Sequence, residues 1–400
     1  MIVTERTRAR RQALVEARAR HASARIPPDG RGPKPPIGRR TGLFMVLFLA
    51  SGSLVLLGLV MALSATAAPS LSGTDSAWSL FKSQAMWLGV GILALLVLLR
   101  IDYHHWKRLA PMGLGVSVLL LALTAIPSVG LSANGARRWL GAGPVVFQPS
   151  ELAKVAFVVF VADLLSRPDR HMEDARATLQ PVVMLTGGMA GLLMLQPHLG
   201  TTLLLVGVAV TMLYFAGARL IHLLAVTVVG AGLTAMLIAY SPWRRDRMLG
   251  FLDPWADPYG NGYQTLKSLH AMASGGVDGL GLGAGRAKWG FLPYAHTDFI
   301  FAVIGEELGM IGSLFVVILF VAIAAAGLGV ALRAPDRFGM LLAVGVTAWI
   351  LLQAALNMGA VLAIFPVVGI TLPLLSFGGT SLVATLAAMG VLLNVARQIR

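Results

Sequence analysis

Residues 43–64 read LFMVLFLASGSLVLLGLVMALS, and this run decides the fold. It holds no charged side chain. As a helix rising about 1.5 Å per residue it reaches about 33 Å, enough for the roughly 30 Å hydrocarbon core of a bilayer. It is also longer than the apolar region of a signal peptide, so it reads as a first membrane span. Apolar residues make up 56% of the 400 and charged residues only 12%, against roughly 45–50% and 25% in soluble domains. Mean hydropathy is +0.77. So few charges cannot wet the surface of a globule this large. An all-α polytopic membrane protein is expected.

Nine further apolar runs fall near 84–99, 109–126, 150–166, 181–196, 201–217, 220–240, 298–332, 338–364 and 379–396. About ten transmembrane helices place both termini on one side. The tail, residues 1–41, carries 11 Lys/Arg against 3 Asp/Glu, with Pro27-Pro28, Gly32-Pro33 and Pro35-Pro36. Directly before a span, this basic and disordered tail reads as a cytoplasmic topology signal touching anionic lipid, not as a nucleic-acid arm. The chain therefore divides into the tail (1–41) and a ten-helix membrane domain (42–400). With the N and C termini cytoplasmic, 22 Lys/Arg fall inside and 9 outside, as the positive-inside rule requires. The absence of cysteine excludes disulfides, Cys-bound zinc, iron–sulfur clusters and thiol nucleophiles. No internal repeat supports an inverted-repeat transporter.

Six of the nine exported cations lie in one large extracytoplasmic loop, about 241–297: Arg244, Arg245, Arg247, Lys267, Arg286 and Lys288. Arg137 and Arg138 lie in another, at 127–149. Basic residues exported against the insertion bias suit an anionic ligand at the outer face, most simply a phosphate or pyrophosphate; the alternative is solvated loop charge. The glycine-rich run 279–285 lacks the surrounding βαβ unit of a dinucleotide site and reads as a flexible loop.

Phe291-Leu292-Pro293-Tyr294-Ala295-His296-Thr297-Asp298 leads from that loop into the eighth span. Asp298 fits two roles equally: a helix N-cap, or a general base at the mouth of an interior cleft. Ala302, Gly305 and Gly309 continue its helical face as a small-residue stripe, which turns it toward the bundle. Deeper in that span, Glu306 and Glu307 are expected to be paired structurally, as is Asp163 in the fourth, with Glu306 the reserve carboxylate. Gln148-Pro149-Ser150-Glu151-Leu152-Ala153-Lys154 opens the fourth span. There Ser150 can cap, Glu151 complements the helix dipole, and Lys154 either snorkels or binds an anionic head group. Two polar patches interrupt apolar sequence: Gln196 to Thr201, with a lone and structural His198, and Asn357 followed by Pro366 to Gly379. The second, which contains Ser376, reads as a re-entrant turn lining a cavity.

Five motifs in order resemble the SEDS family of bacterial cell-wall proteins over residues 42–396: Asn134 to Leu140, Gln148 to Lys154, Phe251 to Pro258, Ala295 to Phe301, and Thr371 to Gly379. Phe-Leu-Asp-Pro-Trp-Ala-Asp-Pro and Ala-His-Thr-Asp look more like FtsW, the division branch, than RodA, the elongation branch. The resemblance implies a peptidoglycan glycosyltransferase that polymerises lipid II at the bacterial cytoplasmic membrane. It also implies work at the division septum beside a class B penicillin-binding protein and other division proteins, with no nucleic acid. Asp298 becomes the catalytic aspartate. Arg137, Arg138, Lys154, Arg244, Arg247 and His296 become substrate-binding, with Glu306 and Ser376 in support. No metal-ligating residues are singled out; a divalent cation (Mg2+ or Mn2+) is compatible with pyrophosphate chemistry. A lipid II flippase is the alternative. His198 stands where the family usually has Asp, and Tyr294 and Gly290 where division members often carry Glu.

Overall fold

The computed structural model describes residues 41–67, 77–133, 136–142, 145–167 and 175–399. The expected tail, 1–41, falls almost wholly outside them, as do Asn134 and Gly135 of the first motif. Each of the ten predicted spans is a helix: α1 (Gly42–Ala67), α2 (Ala77–Arg100), α3 (His104–Ala125), α4 (Pro149–Ser166), α5 (Ala175–Leu195), α6 (Leu199–Ala216) and α7 (Leu220–Tyr240), then, after two shorter helices, α10 (Ile300–Arg333), α11 (Arg337–Val361) and α12 (Gly379–Gln398). Among the described residues, nine helices are long and apolar enough to cross a membrane. The tenth, α4, is only 18 residues and carries Glu151, Lys154 and Asp163, all buried. Of those nine, α11 and α12 are the most deeply buried, whereas α7 buries almost nothing.

Two shorter helices, α8 (Pro242–Leu252) and α9 (Tyr263–Gly275), occupy the long loop. The 127–149 segment, expected as plain loop, holds the departure from an all-α chain. Strands β1 (Leu131–Ala133), β2 (Ala136–Ala142) and β3 (Val145–Phe147) form an antiparallel sheet in sequence order. Two of the three strands have three residues, too short for alternation to register as strand. Period-two geometry sends Arg137 and Arg138 to opposite faces of β2.

Helix α10 breaks at Gly309, whose φ of 66° and ψ of −161° are not helical. A side chain there would meet the Val277 carbonyl and the Gly279 amide. The freed backbone bonds the loop after α9 instead: Met310 N–H to Gly276 C=O at 2.9 Å, and Leu280 N–H to Glu306 C=O at 3.0 Å. Irregular backbone is thereby satisfied where no water is available. The small-residue stripe faces inward, and the backbones of Gly275 and Gly305 are so close that a Cβ on Gly275 would overlap the Gly305 carbonyl. Helix α9 fills the role expected of a close-packed neighbour.

Candidate active site

A cavity of about 420 Å³ opens where β2, the α5–α6 turn, α8, the approach to α10 and the 362–378 segment meet. Asp298, His296, Arg138, Arg244 and Arg247 all line it. Residues separated by up to 160 positions converge here from the segments that connect the long helices.

Asp298 is held from behind by its backbone. Asn357, buried in α11, donates from Nδ2 to Asp298 C=O and to Ile370 C=O, both at 2.7 Å. Ser376 Oγ donates to Thr297 C=O at 2.6 Å and accepts from Leu372 N–H at 2.7 Å. Phe377 N–H donates to His296 C=O at 3.0 Å. These bonds fasten the aspartate to the 366–378 turn, which is buried from Leu372 to Ser376 and lines the cavity as expected. The carboxylate is not a helix cap: Phe299 occupies the N-cap position and makes no side-chain capping bond. Of the two roles left open by the sequence, the cap has no geometric basis.

Replacing Asn357 with Leu keeps the volume but deletes both clamping bonds and orphans two buried carbonyls. The expected loss is about 1–3 kcal/mol per unsatisfied group, read as a lower melting temperature in detergent. An unchanged melting temperature contradicts the clamp.

Burial pushes the Asp298 carboxyl up to about 6, against the lowering influence of Arg247 and Arg138. Burial likewise lowers both guanidinium groups from their ordinary range. Arg138 Nε donates to Gln196 C=O at 3.1 Å and its Nη2 to Pro197 C=O at 2.5 Å, which fixes the fork beside the cavity. Arg247 Nη1 donates to Val367 C=O at 3.2 Å. Burial lowers His296 as well, and its ring sits edge-on to Phe377 at 5.7 Å. His198 also lines the cavity and stays neutral, lowered well below 6.5 first by burial and then by Arg138 and Lys154. Its Nε2 lies 2.9 Å from Gln148 Nε2.

Four predicted site residues lie elsewhere. Lys154 neither snorkels nor reaches the cavity. Its Nζ sits 2.8 Å from Glu151 Oε2 and 2.8 Å from Gln353 Oε1, and 5.0 Å from the Trp349 ring centroid. Glu306 does not share the cleft: its Oε1 accepts from Arg286 N–H at 2.9 Å and its Oε2 from Ala287 N–H at 3.0 Å. Arg137 is exposed on the far face of β2, and Ser376 acts through Thr297, as above. The expected structural pairings are present, with Glu307 joined to Lys288 at 2.7 Å and Asp163 to Arg167 at 2.8 Å. Met248 and Gln264 also line the cavity and lie outside every motif singled out in the sequence.

A divalent cation finds no cage here. Among the described residues no three His, Cys, Asp or Glu side chains converge, and the one carboxylate lining the cavity faces guanidinium groups.

The family model of the FtsW–RodA–SpoVE cell cycle proteins matches residues 44–400. The chain belongs to this family. It is 37% identical over 362 residues to the stage V sporulation protein E of Bacillus subtilis, covering 90% of this chain and 99% of that one. It is 40% identical over 364 residues to a probable peptidoglycan glycosyltransferase FtsW of Mycobacterium tuberculosis, covering 90% and 69%. Two solved structures share the fold. One is a chain from a peptidoglycan synthase complex, with a TM-score of 0.72, 33% identity and coverage of 88% and 96%. The other is the rod shape determining protein RodA of Thermus thermophilus, with a TM-score of 0.64, 30% identity and coverage of 88% and 95%.

Proposed function

We propose that this multi-pass membrane protein is a peptidoglycan glycosyltransferase that polymerises lipid II at the outer face of the bacterial cytoplasmic membrane. The observation that carries the reading is a half-buried carboxylate, Asp298, in a cavity shared with Arg138, Arg244 and Arg247. Relatives bearing that activity in their names support it. The 4-hydroxyl of lipid II attacks C1 of the growing strand's terminal sugar, inverting that centre. Asp298 accepts the hydroxyl proton while undecaprenyl pyrophosphate leaves with the bonding electron pair. The arginines stabilise charge developing on the departing pyrophosphate, an effect that is stronger in a water-poor site. The cell cycle family and the relative named for sporulation favour work at a septum, beside other division proteins. The synthase-complex neighbour favours a class B penicillin-binding protein as companion.

The flippase alternative needs polar stepping stones across the membrane. Asp163, Glu306 and Glu307 are each spent in internal bonds. Polymerisation of purified lipid II in detergent decides between the readings, since flipping has no meaning without a bilayer. Glycan strands are expected; their absence under conditions where the protein stays folded overturns the proposal.

The orientation has its own test. Single cysteines can be placed freely in a chain that has none. A membrane-impermeant maleimide is expected to label residues in 241–297 of intact spheroplasts and to spare 167–176. The reverse pattern inverts the map.

A further inference from the structure

A second cavity, of about 660 Å³, lies beside the first. Helix α9 forms one wall with Lys267, His270 and Ser274, and the loop opposite supplies Arg286 and Phe291. Among the described residues, no carboxylate lies within ion-pair distance of Lys267, His270 or Arg286. The Lys267 ammonium lies over the Tyr263 ring, 5.4 Å from its centroid. Glu306 reaches the floor of this cavity, but its two oxygens point into the backbone N–H groups of Arg286 and Ala287. That carboxylate anchors the Arg286 backbone and leaves its side chain exposed. The cavity thus offers two basic side chains, a histidine and an exposed phenylalanine to an incoming group.

Its position says what that group is. Gln264 lines the first cavity, while Lys267 and Ser274 line the second from the same helix. At about 1.5 Å per residue, the two cavities are offset by about 5 Å at the near end and about 15 Å at the far end. A peptide hanging from a sugar held in the first cavity covers that distance in two to five residues, at about 3.3–3.6 Å each. We propose that the second cavity is the subsite for the carboxylate-bearing stem peptide of the same sugar substrate, with Lys267 and Arg286 as its anion contacts. This rests on the glycosyltransferase reading above. The cations here read peptide charge, and those of the first cavity meet pyrophosphate.

The test crosses two substrates with two variants of the full-length protein. The substrates are lipid II with free stem carboxylates and lipid II with those carboxylates amidated. The variants are Lys267→Ala/Arg286→Ala and the charge reversal Lys267→Glu/Arg286→Glu. Surface substitutions of this kind leave folding close to wild type. With the acidic stem, the alanine variant is expected to raise KM by about tenfold or more, the scale of a lost charge-assisted contact, with kcat little changed. With the amidated stem, KM stays near the wild-type value, and the reversal variant prefers the amidated lipid. An equal loss with both lipids, or no loss with either, overturns the subsite, the first pointing to general damage and the second to solvated charge. Equilibrium binding of both lipids is measured alongside turnover. If the wild type polymerises neither lipid, the glycosyltransferase reading falls, while the binding comparison still decides the peptide site.

Discussion

Asp298→Asn is expected to lower lipid II polymerisation by at least the factor of about 10²–10⁴ that positioned proton transfer contributes, with thermal stability near wild type. Asparagine keeps the volume and the polarity but cannot accept the proton of a sugar hydroxyl. The stability half of the prediction comes from the geometry. The fastening bonds at this position run through main-chain atoms, from Asn357 to Asp298 C=O and from Ser376 to Thr297 C=O. Neither is lost when the carboxylate becomes an amide. The pH profile carries the same assignment. With the carboxyl raised to about 6, the base is ionised above that value and protonated below it. The rate should hold above about pH 7 and fall by about tenfold per unit as pH drops well below 6. A folded Asp298→Asn protein with near-normal turnover sinks the base assignment, and Glu306 is no substitute, since its oxygens are bound to Arg286 and Ala287.

The spans were legible because each needs only composition over about 20 residues, a property local to the chain. The cavity was legible in part. The bias against exported cations singled out Arg138, Arg244 and Arg247, and all three reached it. The same bias swept in Arg137, because sequence treats adjacent arginines alike and only a β-strand separates their faces. Strands β1 and β3 do not announce themselves, since each is a run of only three residues. Asn357 and the 366–379 turn stood out as polar interruptions of apolar sequence. Their role as a clamp depends on contacts up to 81 positions apart, which no periodicity encodes. The buried setting of Lys154 has a local signal, since Glu151 lies one helical turn before it, a spacing at which opposite charges meet.

That pair yields the second large effect. Lys154→Ala is expected to cost about 3–5 kcal/mol of stability, the usual result of stranding one member of a buried ion pair. The Glu151 and Lys154 side chains are 7% and 3% exposed, so neither has water to fall back on. The lysine also anchors Gln353 Oε1, which accepts from Trp349 Nε1 at 2.7 Å, while Gln353 Nε2 donates to Thr371 C=O at 2.9 Å at the cavity edge. Losing the ammonium therefore leaves an uncompensated carboxylate and loosens a chain of bonds that ends at the active site. Removing both charges should be milder. In Glu151→Gln/Lys154→Met no ion is stranded, and most of the lost melting temperature should return, the non-additivity that a double-mutant cycle isolates for directly contacting residues. A lipid-binding Lys154 makes the opposite forecast: an alanine variant with wild-type thermal stability and weakened substrate affinity, and no rescue by a change at Glu151. Melting curves of the three variants in one detergent separate the two, because only a buried pair makes the double substitution more stable than the single.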